Sequence, residues 1–107
     1  MIAIWLLSLY LSVNPTRAIQ PATIYLTART SEPVSGTVCF QAYATDPNSW
    51  IQFRESCEDI NGQVKQIRWH GWRWGTYLMR VVLRVGNQVR LISHDTEVVI
   101  SDPGSGH

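Results

Sequence analysis

The stretch WHGWRWGTY, residues 69–77, concentrates side chains that are suited to binding a ligand. It holds three tryptophans, a tyrosine, a histidine and an arginine. Exposed indoles can stack on the C–H faces of sugar rings, while a neighbouring arginine or histidine bonds sugar hydroxyls. The same rings can instead fill the core, because a small domain needs large side chains to bury enough surface. From the sequence, both interpretations stay open.

A binding surface in this stretch requires a bend in the chain. Strict alternation backwards from Tyr77 would aim Arg73 into the core, so the backbone must turn at Gly71 or Gly75. The orientation of each ring therefore cannot be read from alternation alone. The candidate ligand-binding residues are Trp69, Trp72, Arg73 and Trp74.

Other polar residues predict no catalytic or metal centre. His70 and His94 come with no third ligand and no nucleophile in a recognisable pattern. Several acidic residues lie near predicted turns without the spacing of a calcium loop, and such residues usually bond their own backbone. These are Asp46, Asp59, Asp95 and Glu97. Arg80, Arg84 and Arg90 line one predicted sheet face, as on a solvated surface. We therefore expect no enzymatic activity, no cofactor and no metal.

The two cysteines, Cys39 and Cys57, lie in neither a CxxC nor a metal-ligand pattern. In an oxidising compartment a lone pair most simply forms a disulfide, whereas in the cytosol both would be buried thiols. We predict the Cys39–Cys57 disulfide. Alternation places Cys39 outward and Cys57 on the inward side with Ile51 and Phe53. The bridge then needs a bulge between Phe53 and Cys57.

The N-terminus reads as a targeting segment. Residues 2–13, IAIWLLSLYLSV, are a continuous apolar run, too short for a bilayer span of about 20 residues. The run matches the hydrophobic region of a signal peptide, with cleavage after Ala18, although no lysine or arginine precedes it. The alternatives are a buried first strand or a start codon misplaced in a longer gene. We predict a signal peptide over residues 1–18, no stable membrane span, and a secreted, periplasmic or cell-surface location.

Composition limits the class of protein. A chain of 107 residues forms one domain at most. Its formal net charge of +1 gives no global field to attract a nucleic acid. With 45% hydrophobic and 16% charged residues, it is a globular chain rather than a disordered one.

Beyond Ala18, apolar and polar residues alternate with a period of two, which is typical of strands with one buried face. Turn chemistry separates these runs, and Asn61-Gly62 and Gly86-Asn87 each predict a tight hairpin. No segment has a helical stripe, so a β-sandwich or small barrel is expected. The predicted strands are residues 23–28, 37–44, 50–56, 63–69, 76–85, 88–93 and 96–101.

Four short motifs follow one another along the chain. These are GTV at residues 36–38, an alternating run that ends in AxD at 44–46, GTYLM at 75–79 and GN at 86–87. In this order, residues 21–100 resemble the bacterial immunoglobulin-like domains of secreted and cell-surface proteins. The resemblance implies an all-β fold, an immunoglobulin-like antiparallel β-sandwich of about seven strands over residues 19–101, with a flexible tail at 102–107. The implied core is Ile24, Leu26, Val38, Phe40, Ala42, Ile51, Phe53, Tyr77, Met79, Val81, Leu83, Val98 and Ile100.

The resemblance also implies roles for the aromatic residues. Tyr77 resembles the corner tyrosine of such sandwiches, whose hydroxyl bonds a nearby backbone group. Trp69 resembles the tryptophan that packs at the sandwich edge, which leaves Trp72 and Trp74 as candidates for exposure, with Arg73 stacked between them.

The implied function is non-catalytic: binding, adhesion or spacing at the cell surface, as a monomer or part of a multidomain array. The alternative is a small carbohydrate-binding module with an aromatic platform around Trp72 and Trp74. The implied partners are a polysaccharide or another protein.

Overall fold

A computed structural model describes residues 7–103, and most of them lie in seven β-strands. The predicted all-β class is confirmed. Residues 1–6 of the predicted signal peptide and residues 104–107 of the predicted tail lie outside the described part of the chain. The strands are β1 (Leu9–Asn14), β2 (Arg17–Ile19), β3 (Ala22–Ala44), β4 (Phe53–Trp72), β5 (Gly75–Val85), β6 (Gln88–Ile92) and β7 (Thr96–Ser101). Between residues 7 and 103, no helix is long and apolar enough to cross a membrane.

The two longest strands, β3 and β4, pair along most of their length and connect the two layers of the sandwich. The first half of β3 also pairs with β1, and its second half pairs with β5. The other edge of β5 is shared by β7 and β6. All these pairings are antiparallel, whereas β2 adds to β7 in parallel. The result is an immunoglobulin-like β-sandwich in which one long hairpin contributes to both layers.

The predicted hairpin at Asn61-Gly62 is wrong. Asn61 lies within β4 opposite Ser35, and the ladder shifts register between Arg29 and Val34. Gly62 has a φ of 138°, a backbone conformation that favours glycine, and it lies opposite Val34. The turn residues here form an irregularity where the paired strands pass from one layer to the other. The predicted strands 23–28 and 37–44 are therefore both part of β3, and the predicted strands 50–56 and 63–69 are both largely part of β4.

Side chains donate hydrogen bonds to three backbone carbonyls at this irregularity. The hydroxyl of Thr30 donates to the carbonyl of Glu32 at 2.7 Å. The Nε2 atom of Gln63 donates to the carbonyl oxygens of Thr30 and Ser31. Side chains thus replace the missing ladder bonds, as buried or bent backbone requires. The second predicted hairpin, at Gly86-Asn87, is confirmed: Val85 pairs with Gln88, and Gly86 has a φ of 64°.

The core lies between the layers and follows the predicted alternation. All the predicted core residues are buried except Ile51, which is half-buried, and Phe53. Phe53 is 53% exposed, because it lies opposite Tyr43 on the outer face and stacks on that ring. Its prediction as a core residue is wrong. Leu9 and Ile60 belong to the core although alternation alone did not select them.

The N-terminal apolar run contributes a strand. In β1, Leu9 is buried, and Leu11 and Val13 are half-buried against the core. Ala18 lies in β2 opposite Ile100. Residues 9–14 therefore form the first strand that the sequence left open as an alternative. Cleavage after Ala18 stays a prediction.

The predicted disulfide between Cys39 and Cys57 is present. The two residues are direct partners in the β3–β4 ladder, and no register shift separates Phe53 from Cys57. The expected bulge is therefore wrong: both cysteines lie on the outer face, together with Tyr43 and Phe53. With a sequence separation of 18, the bridge contributes about 3 kcal/mol on the chain-entropy model.

Candidate functional site

The candidate site is the aromatic end of the sandwich, defined by Trp50, Arg73, Trp74 and the adjoining cleft. Two chain connections meet there, residues 45–52 between β3 and β4 and residues 73–74 between β4 and β5. The amide of Trp50 donates to the carbonyl of Trp74 at 3.1 Å. The amide of Thr45 donates to the carbonyl of Thr76 at 2.9 Å. The first bond joins the two connections directly, and the second joins the start of residues 45–52 to β5.

Two of the predicted ligand-binding residues belong to the core. Trp69 is 3% exposed and Trp72 is fully buried. Their ring centroids lie 5.4 Å apart, and the Trp72 ring meets the edge of Tyr77 at 4.8 Å. The expectation that Trp72 is exposed is wrong. The chain bends at Gly71, where φ is 76°, and this bend turns Trp72 inward opposite Ala22.

An arginine that the sequence did not single out stacks on these buried rings. The guanidinium carbon of Arg54 lies 5.0 Å from the Trp69 ring centroid and 5.3 Å from that of Trp72. Its Nη1 donates to the carbonyl oxygen of His70 at 2.9 Å. Burial lowers the pKa of Arg54, because desolvation disfavours the charged form. Arg54 closes the edge of the core, so this aromatic cluster is structural.

The outer aromatic surface is different. Trp50 is 65% exposed, and the guanidinium carbon of Arg73 lies 6.0 Å from its ring centroid. Arg73 is exposed and Trp74 is half-buried. Arg73 thus stands over Trp50 rather than between Trp72 and Trp74. The sequence-based interpretation missed Trp50, although its position directly after the turn residues 45–49 was an available signal.

A hydrogen-bonded turn presents Trp50 to solvent. The Oδ1 atom of Asp46 accepts from the amide of Asn48 at 2.9 Å, and the Asp46 carbonyl accepts from the amide of Ser49 at 3.0 Å. The side chain of Gln52 donates to the carbonyls of Ser49 and Pro47. Every one of these bonds is local to residues 46–52. The exposed indole is therefore held on an ordered turn, which lowers the entropy lost on binding.

Beside Trp74 lies an open cleft of about 530 Å³. Asp46, Trp74 and Thr76 are among the residues that line it. The strand β7 contributes residues 99–101, followed by Asp102. An aromatic ring next to carboxylate and hydroxyl oxygens suits a ligand that has both C–H faces and hydroxyl groups.

Tyr77 connects this end to the core. Its hydroxyl donates a hydrogen bond that is shared by two carbonyl oxygens, that of Arg73 at 3.0 Å and that of Trp74 at 3.1 Å. It accepts from the amide of Ile51 at 3.4 Å. Burial raises the pKa of Tyr77, since desolvation disfavours the phenolate. The predicted corner role is confirmed: one hydroxyl bonds backbone groups in both connections.

Gly75 leaves room for the Tyr77 hydroxyl, so replacing Gly75 should lower the stability of the fold. Its φ is 149°, and an added Cβ would lie 2.6 Å from the Cβ of Ser49 and 2.7 Å from the Tyr77 hydroxyl oxygen. We expect Gly75→Ala to lower the free energy of unfolding by more than Gly71→Ala does. At Gly71, φ is 76° but nothing lies within 4 Å, so only backbone strain of about 1–2 kcal/mol is expected. Urea unfolding of both variants measures the difference, and equal losses would contradict the close packing at Gly75.

The remaining candidates are dispersed. The Nδ1 of His70 lies 3.1 Å from the Thr23 hydroxyl, and His94 is exposed on another connection. Arg80 is half-buried and stacks on Tyr43, with 4.9 Å between its guanidinium carbon and the ring centroid. Arg84 and Arg90 are exposed.

Comparisons with known proteins support the fold. No family model matches the sequence, and no curated protein matches it either. The sulfur carrier protein SoxY from Chlorobium limicola f thiosulfatophilum is similar in structure, with a TM-score of 0.53 and 16% identity over 87% of this chain and 78% of that one. The CARDB domain of a Pyrococcus furiosus protein, solved in complex with di-metal ions, has a TM-score of 0.52 and 10% identity over 92% of this chain and 97% of that one. At these identities the likeness shows the fold alone, an immunoglobulin-like β-sandwich.

Proposed function

We propose that this chain is a non-catalytic, exported module of the bacterial immunoglobulin-like type that acts in binding, adhesion or spacing at the cell surface. The motif order and the sandwich fold support this assignment. The observation that carries it is the aromatic end, where a rigid scaffold presents Trp50 at 65% exposure beside Arg73. The Cys39–Cys57 disulfide supports an oxidising location.

The location is tested by fractionation and thiol labelling. In a bacterium that produces the full chain, we expect it in the periplasmic or cell-surface fraction, with both cysteines resistant to alkylation unless a reductant is added. A chain recovered in the cytoplasmic fraction with two alkylated thiols would contradict export. A Cys39→Ser variant provides the control, because it leaves the exposed Cys57 available for labelling.

The aromatic end favours a second candidate, carbohydrate binding. The indole of Trp50 offers an exposed face for a sugar ring, and the cleft beside Trp74 supplies the oxygen atoms of Asp46 and Thr76. The platform differs from the one expected from sequence, because Trp72 is buried and Trp50 takes the exposed position. Trp74 and Arg73 remain part of the proposed platform, with Arg73 over Trp50 instead of between Trp72 and Trp74.

Affinity electrophoresis on a panel of polysaccharides tests this candidate. If a glycan retards the protein, we expect Trp50→Ala to reduce the apparent affinity at least tenfold, because the variant removes the stacking face. Val89→Ala is the matched control: Val89 is also an exposed apolar residue, at 52%, but it lies in β6 beyond the opposite end of β5. Equal retardation of wild type and Trp50→Ala would exclude the platform.

A further inference from the structure

The outer face of the β3–β4 ladder carries a cluster of metal-ligating side chains. Cys39 lies opposite Cys57, and Gln41 lies opposite Glu55, so these four side chains project from one face as two adjacent pairs. One ligand atom from each of Cys39, Glu55 and Cys57 falls within 4.8 Å of the others. The two sulfurs are joined to each other in the disulfide. As thiolates, together with the carboxylate, they are of the ligand types that hold zinc in sites that keep one position open.

Glu55 is held in place by a chain of hydrogen bonds. The Nε2 of Gln41 donates to Oε2 of Glu55 at 2.6 Å. The Oε1 of Gln41 accepts from the Tyr43 hydroxyl at 2.9 Å and from Nε of Arg80 at 2.8 Å. Gln41 is only 7% exposed, so its amide is fixed at both ends. Such outer partners orient a ligating carboxylate and leave its second oxygen free to coordinate.

The disulfide can open without removing the scaffold. Cys57 is exposed, which gives a reductant access to its sulfur, whereas Cys39 is 2% exposed. The ladder pairs β3 and β4 on both sides of the bridge, from Tyr43 opposite Phe53 to Thr37 opposite Asp59. After reduction, the two thiols therefore remain on neighbouring strands. Thiolates on one zinc lie about 2.3 Å from the ion and roughly 3.8 Å from each other, a separation that side-chain rotation alone can reach.

We propose that reduction of the Cys39–Cys57 disulfide creates a binding site for a thiophilic divalent cation such as Zn²⁺, with both sulfurs and the Glu55 carboxylate as ligands. A phosphine or dithiol reductant supplies two electrons and is itself oxidised, and each sulfur gains a proton to become a thiol. Zn²⁺ then displaces the two thiol protons and binds the thiolates, and a water molecule completes the tetrahedral coordination. In the disulfide state the site is closed, because neither sulfur is available as a thiolate.

Metal titration of the full chain in both redox states tests the proposal. Protein reduced with a phosphine is expected to bind one Zn²⁺ per chain, and Cd²⁺ should give thiolate-to-metal charge-transfer absorption. Oxidised protein should bind neither ion at this site. Circular dichroism of the reduced protein checks that the β-structure persists; its loss on reduction would overturn the proposal, which requires the intact ladder.

Two variants separate this site from adventitious binding to thiols. Cys57→Ser should abolish the charge-transfer band, and Glu55→Gln should weaken Zn²⁺ binding at least tenfold. Glu58→Gln is the matched control: Glu58 lies on the same strand opposite the inward-facing Val38, so its side chain leaves from the other face. If Glu55→Gln binds Zn²⁺ as tightly as Glu58→Gln, the carboxylate is no ligand and the proposed site is wrong.

Discussion

Trp72→Ala is expected to lower the free energy of unfolding by about 3–5 kcal/mol, the usual cost of removing a fully buried aromatic side chain. Trp72 is 0% exposed and packs against Trp69, Tyr77 and the guanidinium of Arg54. Its removal opens a cavity and leaves Arg54 without one of its two aromatic contacts. Chemical denaturation followed by circular dichroism gives the value.

Trp50→Ala is the matched control for this prediction. Trp50 is 65% exposed, so its truncation should change the stability by no more than about 0.5 kcal/mol. If the two variants lose the same stability, the division between a structural cluster and an exposed platform is wrong. The two variants can also be compared by tryptophan fluorescence, because acrylamide should quench the exposed indole of Trp50 and leave the buried indole of Trp72 largely unaffected.

Removal of residues 1–14 is expected to destabilise the fold severely. It deletes β1, its backbone bonds to β3, and the burial of Leu9 together with part of Leu11 and Val13. A fully buried leucine contributes roughly 1.5–3 kcal/mol. One buried and two half-buried residues therefore contribute roughly 3–6 kcal/mol, which is comparable to the lower end of the stability of a small domain, about 5–15 kcal/mol. We expect a large fall in Tm or no cooperative transition at all.

A pair of point variants distinguishes the loss of burial from the loss of the segment. Leu9→Ala should lower the Tm measurably, because Leu9 is 7% exposed, whereas Tyr10→Ala should change it little, since Tyr10 is 57% exposed. A truncated chain as stable as the full one would show that β1 is dispensable and would agree with cleavage after Ala18. Sequencing the N-terminus of the mature protein shows directly which form the cell retains.

The fold class was predictable because alternation is local. The inward residues of β5, among them Tyr77, Met79 and Val81, follow the period of two without interruption. The turn-forming residues were less informative about the fold. The same residue types occur in hairpin turns and at register shifts within a ladder of paired strands. Gly62 has the positive φ that a hairpin would use, yet it lies opposite Val34 within paired strands. Only the partner strand distinguishes the two cases, and the sequence does not show the partner.

The candidate site was predictable only in part, because the sequence does not show which distant residues meet there. Arg73 and Trp74 are neighbours in the sequence and lie together at the aromatic end. Trp50 reaches it only through the contact between two connections. Arg54 reaches the buried rings because the two ends of the long strand β4 lie against each other across the core. Cys39 likewise meets Cys57 and Glu55 only through ladder register, so the cysteine spacing alone does not show this cluster.

The parallel pairing of β2 with β7 determines how the domain would respond to mechanical tension. Residues 17–19 lie beside residues 99–101, and the amides of Gln20 and Val99 extend this contact with bonds of 2.9 Å to the carbonyls of Ser101 and Thr16. Tension that draws these two segments apart along the chain acts parallel to both strands. The hydrogen bonds between them would then share the load and break together instead of opening one after another. A sandwich connected in this way is expected to resist extension, which is the property that the proposed spacing role requires.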